Sequence, residues 1–234
     1  MKSTVQQIRE RFDKDVERFS RLEIGNTAQI DSVLSLELIA CAAAVTNPNA
    51  RSVLDVGCGA WNYVLKLLEK LPNLNVTLLD LSQPMLQRAL QRVTQATRGA
   101  VQAIQGDIRE AQLGIAQFDV VVAAAVLHHL RTEDEWSSVF AKLHAALKPG
   151  GTLWIYDLVQ HAMPEIEREM WQRYARYLVN FGGEAYREHV LAYIEQEDTP
   201  RSLAFQLDKM RAAGFRDLEV LHKNVSFAAF GARK

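Results

Sequence analysis

Apolar residues recur along this chain in two rhythms, one helical and one strand-like. Val5, Ile8, Phe12, Val16 and Phe19 fall close to a 3.6-residue period among charged neighbours, which predicts an amphipathic helix over residues 5–19. A second helix is predicted through Leu34, Leu36, Leu38, Ile39 and the alanines to Val45, with Asp31 placed to cap it and Asn47-Pro48-Asn49 to break it. From there short apolar runs alternate with helical patterns. Strands are predicted at Ser52–Val56, Asn75–Asp80, Val101–Gln105, Phe118–Ala124 and residues 152–157. Helices are predicted at residues 63–71, 84–94 and 133–147, the last stopped by Lys148-Pro149-Gly150-Gly151. Phe118–Ala124 is nearly continuously apolar, as a strand covered by helices on both faces should be. The alternation predicts an α/β fold of the doubly wound, Rossmann-like kind, with a mostly parallel sheet and crossover helices.

After residue 157 the rhythm changes. Residues 164–180 and 184–194 carry helical patterns rich in Trp171, Tyr174, Tyr177, Tyr186 and Tyr193, joined by Gly182-Gly183. They form an insertion over 160–196, placed to cover the open end of the sheet. A helix over 200–213 ends at Gly214, and residues 217–222 and 226–230 read as a closing pair of strands. The expected organisation is one domain over 1–234. Within it lie amino-terminal helices (1–46), a cofactor-binding core (52–157), a helical cap (160–196) and a closing helix with strands (200–234).

Composition narrows the field. The 234 residues are 48% hydrophobic and 24% charged, as in ordinary globular chains. The formal net charge is -1 and no run of Lys or Arg stands out, which weighs against nucleic acid as a partner and favours a small-molecule substrate. Cys41 lies in an apolar helical run and Cys58 in a glycine turn, so no disulfide framework is expected. The start is polar and charged, and no apolar run is long enough to span a bilayer. A cytoplasmic protein without a membrane partner is the expectation, and a homodimer is compatible with it.

The candidate chemistry sits where strands end. Val53-Leu54-Asp55-Val56-Gly57-Cys58-Gly59-Ala60 runs a buried strand into a two-glycine turn and then a helix, a place where a ligand meets backbone without a Cβ in the way. Asp80 closes the next strand, where a carboxylate accepts both hydroxyls of a ribose. Asp107 follows the third strand, able to accept from an adenine amino group while Ile108 touches the ring. Each has a plainer explanation alone, such as turn packing or helix capping. Together they mark the ends of consecutive strands.

VLDVGCG, LLDLSQPML, GDI, FDVVVAAAVLHHL and LKPGGTLWIYDL, spanning about residues 52–157, resemble the successive motifs of class I S-adenosylmethionine-dependent methyltransferases. The resemblance implies a seven-stranded sheet with an antiparallel last strand, and S-adenosylmethionine as cofactor. It implies that Asp55, Gly57, Cys58 and Gly59 line the methionine end. Asp80 would hold the ribose, Leu81 and Met85 flank the adenine, and Asp107 with Ile108 meet its far edge. Ala124, within 123–125, would pass the sulfonium. Trp61 stands where the family usually has a third glycine, so an indole is expected near the cofactor's amino-acid moiety. A dinucleotide site would instead want a glycine at Asn62.

Methyl transfer asks the protein mainly to align two reactants and exclude water. His128 and His129 are the candidate catalytic residues, and backbone packing is the plain alternative for at least one of them. Tyr156, Asp157, Tyr174, Tyr177 and Tyr186 are candidate substrate contacts, though helical spacing alone also predicts core. His128, His129, Asp157 and His161 show no compelling metal-ligand spacing, so no metal is expected. The leading function is methyl transfer to a small molecule. Two alternatives stay open: synthesis of a carboxylated S-adenosylmethionine for tRNA modification, and a cofactor-binding protein without turnover.

Overall fold

The structure is a computed structural model that describes residues 2–14, 16, 28–60 and 63–234. In chain order the elements are α1 (Val5–Lys14), α2 (Ser32–Thr46), β1 (Ser52–Val56), α3 (Tyr63–Lys70), β2 (Asn75–Asp80), α4 (Gln83–Ala96), β3 (Val101–Gln105) and β4 (Phe118–Ala124). A 3-10 turn at Leu127–His129 follows, then α5 (Glu133–Ala146), β5 (Leu147–Leu158), α6 (Pro164–Glu197), α7 (Leu203–Ala212), β6 (Arg216–Asn224) and β7 (Phe227–Arg233). The predicted helix over 5–19 is seen to Lys14, and Phe19, Trp61 and Asn62 lie outside the described residues. Among the described residues no helix is long and apolar enough to cross a membrane, and both cysteines are free.

The strands form one sheet in the order β3-β2-β1-β4-β5-β7-β6. β1 to β5 pair in parallel, while β7 runs antiparallel to both β5 and β6. Alternation along each strand sends residues to two cores. Val53, Val76, Leu78, Val120, Val122 and Tyr156 face one core, and Leu54, Val56, Leu79, Val121 and Ile155 face the other. The chain first winds outward through β1, β2 and β3, then restarts beside β1 with β4. That reversal opens a crevice at the carboxyl ends of β1 and β4, where doubly wound sheets take their ligands.

Several local expectations are corrected. Asp31 occupies the position before α2, but with φ 58 its side chain turns away from the helix. It accepts instead from His222 Nε2 and Asn224 Nδ2, both at 2.8 Å. Lys148-Pro149-Gly150-Gly151 is the start of β5 rather than a loop before it. The two predicted cap helices are present as the two halves of α6, joined as expected at Gly183, whose φ 82 and ψ -179 lie far from helical values. α4 is capped by Ser82, whose hydroxyl accepts from Met85 N, so Asp80 is left for other work.

Candidate active site

A cavity of about 310 Å³ opens at the carboxyl ends of the parallel strands. Asp55, Gly57, Cys58, Gly59, Asp80, Leu81, Met85, Asp107, Ile108 and Ala124 all line one part of it. The β1 turn owes its path to glycine. Gly57 and Gly59 have φ of +65 and +54, and the amides of Gly57 and Cys58 both donate to Leu79 O, tying the turn to the end of β2. A Cβ on Gly57 would lie 2.5 Å from Val126 Cγ2, whereas one on Gly59 or Gly106 would meet nothing within 4 Å.

Asp80 is the centre of this end. Its Oδ2 accepts from Gly59 N at 2.7 Å and its Oδ1 from Ser82 N at 2.8 Å, so each oxygen keeps a lone pair for a further donor. Burial pushes its carboxyl up to about 6, with the Ser82 and Gly59 amides acting in the opposite direction. Asp55 is buried and, among the described residues, its Oδ2 has no hydrogen-bond partner. Its pKa is raised by burial and then by the charge of Asp80. Asp107 is held by Arg109, whose backbone N and Nε both donate to Oδ1 at 2.9 Å and whose Nη2 donates to Oδ2, each oxygen keeping part of its acceptor capacity.

The cofactor implied by the motifs makes four demands on this end of the cavity. A ribose needs a carboxylate with two spare lone pairs, and Asp80 has them. An adenine needs apolar walls with a polar edge, and Leu81, Met85 and Ile108 stand with Asp107. An α-ammonium group needs an acceptor, and Asp55 carries an unpaired buried oxygen. Gly59 and Gly106 leave the space that a side chain would fill. The residues present fit S-adenosylmethionine.

The other end of the cavity is aromatic and imidazole-rich. Phe12 of α1 lines it with Tyr174, Tyr186, His189, Val190 and Tyr193 of α6. The residues at 186, 189, 190, 193 and 194 repeat at helical spacing, so one face of the bent helix forms a wall. His128 and His129 lie at its base beside Asp198. Asp157 fixes the turn there: Oδ2 accepts from Leu127 N at 2.8 Å and His128 N at 3.2 Å, and Oδ1 takes His128 Nδ1. Burial works to lower the His128 pKa, but the charges of Asp157 and Asp198 outweigh it and hold it at about 9. Burial, then the charge of His128, pushes His129 down instead. Burial raises Asp198 to about 6 against the charge of His128.

Three candidate substrate contacts stand outside the cavity lining. Tyr156 is fully buried and donates to Ile30 O at 2.7 Å, because β5 alternation turns it into the core under α6. Asp157 is wholly buried and spent on the 3-10 turn and His128. Tyr177 stacks between Tyr174 and Phe181 on the cap. Tyr174 and Tyr186 do line the cavity, Tyr174 with its hydroxyl donated to Ala28 O. His161 pairs with Glu167 and Lys223, away from the other histidines. Asp198 is not among the candidate residues that the sequence pattern singles out. The helix-ending Glu197-Asp198-Thr199-Pro200 was its one local signal.

Comparison with known proteins bears on the core and on the whole fold. A methyltransferase-domain profile matches residues 54–153. An uncharacterised methyltransferase of Mycobacterium tuberculosis is 34% identical over 119 residues, covering 51% of this chain; the chain spans 55% of that relative's length. Demethylmenaquinone methyltransferase of Listeria monocytogenes is 27% identical over 189 residues, 78% of each chain. The fold is shared with Burkholderia thailandensis 1,6-didemethyltoxoflavin-N1-methyltransferase, solved with 1,6-didemethyltoxoflavin and S-adenosylhomocysteine. That structure aligns with TM-score 0.65 and 16% identity over 99% of this chain and 91% of its own. The core of this chain is thus similar to a methyltransferase domain, and the chain shares its fold with S-adenosylmethionine-dependent methyltransferases of solved structure.

Proposed function

We propose that this chain transfers the methyl group of S-adenosylmethionine to a small, largely apolar acceptor whose reacting heteroatom faces His128, His129 and Asp198. The observation that carries this is the continuity of one cavity, from Asp80 and Asp107 past Ala124 to the aromatic and imidazole end. When bound, the cofactor supplies an electrophilic methyl group on a sulfonium. Asp80 and Asp55 would hold its ribose and amino-acid portions, and Leu81, Met85, Asp107 and Ile108 its base. Ala124, Ala125 and Val126 form the floor between the two ends; Ala125 has φ 51 and its amide donates to Tyr156 O, which fixes that floor. Phe12, Tyr174, Tyr186 and Val190 keep water from the reacting atoms. His129 and Asp198, with His128 beside them, form the polar patch at the acceptor end of the cavity.

The named acceptors of two similar proteins, demethylmenaquinone and 1,6-didemethyltoxoflavin, support a small molecule here. A carboxylated-cofactor synthase would want arginines gripping a carboxylate. Among the described lining residues Arg109 is the one arginine, and it pairs with Asp107 and Glu135. The test is calorimetry with S-adenosylhomocysteine, followed by transfer of labelled methyl to a panel of apolar phenols and amines. One site of binding and at least one methylated product are expected. A protein that does not bind S-adenosylhomocysteine refutes the assignment.

A further inference from the structure

One ligand atom from each of His128, His129 and Asp198 lies within 4.8 Å of the other two. Asp198 Oδ1 is 3.3 Å from His129 Nδ1 and 3.6 Å from His128 Nε2. Tetrahedral bonds of about 2.0–2.2 Å set neighbouring ligand atoms roughly 3.3–3.6 Å apart. Asp198 is only 4% exposed. Yet its Oδ1, like His129 Nδ1, makes no hydrogen bond among the described residues. Two buried polar atoms 3.3 Å apart that face one cavity and make no hydrogen bond call for a ligand that both can hold.

We propose that His128 Nε2, His129 Nδ1 and Asp198 Oδ1 hold a divalent first-row cation of the zinc class, with an open position toward the acceptor. The surroundings are built for this. Asp157 takes His128 Nδ1, which fixes the ring and leaves Nε2 to bind a metal. Asp157 is in turn held by the amides of Leu127, His128 and Leu158. The neighbouring cations are committed elsewhere: Lys2 Nζ to the carbonyls of Glu195 and Asp198, Arg11 to Glu197 and Tyr193, and Arg131 to Thr199 and Ser3 O. Two imidazoles and a carboxylate with a vacant position make a catalytic kind of site rather than a closed structural one. Its use rests on the methyl-transfer assignment, though its existence does not. An acceptor hydroxyl bound at the open position would release its proton to water. Its oxygen then forms the O–CH3 bond with a lone pair as the C–S bond breaks, and the sulfur keeps that electron pair.

The experiment titrates chelator-treated full-length protein with Co²⁺, read by visible absorbance, with Zn²⁺ as competitor and S-adenosylhomocysteine binding measured in parallel. One equivalent should bind, with the intense absorbance of a low-symmetry tetrahedral site, and Zn²⁺ should displace it. Asp198→Asn, nearly isosteric, and His129→Ala should abolish the signal while S-adenosylhomocysteine binding persists and certifies the fold. Asp157→Asn should weaken the metal about 10- to 100-fold. Absence of saturable Co²⁺ and Zn²⁺ binding overturns the proposal, as does binding undiminished in Asp198→Asn. Metal binding without S-adenosylhomocysteine binding would instead refute the methyl-transfer assignment and leave the cation site standing.

Discussion

Asp80 and the two glycines of the β1 turn show how single residues divide the labour of the cofactor end. Asp80 is partly buried before any ligand arrives, and its carboxyl stands at about 6, above the ordinary carboxylate value. A raised pKa favours the protonated folded state, so this group's contribution to stability is greatest below the usual carboxylate range and is lost as pH rises through about 6. Hydroxyl donors reverse the preference, because they bond the ionised form. Affinity for S-adenosylhomocysteine should therefore climb with pH through about 6 and then level off, with a proton released on binding near the midpoint. Calorimetry in buffers of differing ionisation enthalpy reads both. Asp80→Asn should flatten the pH profile and cost about 1.5–3 kcal/mol for one charge-assisted bond, or roughly 10- to 100-fold in affinity. Gly57 and Gly59 separate in the same way. Alanine at Gly57 collides with Val126 and also pays the left-handed backbone cost of about 1–2 kcal/mol. Alanine at Gly59 pays the backbone cost alone, but its methyl enters the cavity. Urea unfolding should rank Gly57→Ala as the more destabilised, and both should lose S-adenosylhomocysteine affinity.

At the scale of elements, the strand ends were legible and the acceptor wall was only half so. Each β-to-helix junction announces itself locally: an apolar run, then glycine or aspartate, then a helical period. Asp55, Asp80 and Asp107 could thus be found without knowing the fold. Asp31 shows where local logic yields, since it has the right place for a cap but is captured by His222 and Asn224 of β6. Asp198 reaches His128 and His129 across some seventy positions of chain only because α6 bends at Gly183 and lays its second half over the cavity. No local pattern encodes that return. Gly182-Gly183 did mark the joint, and the bend predicts its own test. At φ 82 and ψ -179 a residue with a Cβ costs about 1–3 kcal/mol, although nothing lies within 4 Å of the added atom. Gly183→Ala should relax by straightening the helix and drawing Tyr186, Val190, Tyr193 and Asp198 out of line. The expected result is a raised acceptor KM with S-adenosylhomocysteine affinity nearly unchanged, because none of the residues at the Asp80 end belongs to α6. An equal loss of both would mean that the two ends of the cavity are not mechanically separate.

The whole molecule is organised by where its last strand goes. β6 and β7 form a hairpin through Val225 and Ser226, and the chain's final strand enters the sheet between β5 and β6 instead of adding to its rim. β7 is buried from Phe227 to Ala232 and β6 becomes the edge, where its charged and exposed residues, Glu219 and Lys223 among them, suit a strand that must not pair further. The parallel strands that carry the site are thereby clamped by a segment that contributes almost nothing to the site's chemistry. Stability and function should then be separable by a substitution in β7. Gly231 faces Trp154, and a Cβ there would lie 2.3 Å from the indole Cε3 and 2.4 Å from Leu153 O. The backbone oxygen is fixed by the sheet, and the indole is buried and bonded to Thr152 Oγ1, so neither gives way easily. Gly231→Ala should cost about 1–3 kcal/mol by overpacking, or about 2–4 °C of melting temperature per kcal/mol for a chain of this size. The surviving folded protein should bind S-adenosylhomocysteine as before, since the collision lies at the far side of β5 from the β1–β4 crevice. Calorimetric affinity measured well below the melting transition decides the matter: a weakened constant would show that β7 shapes the cofactor end directly, and an unchanged one that it acts only as the clamp.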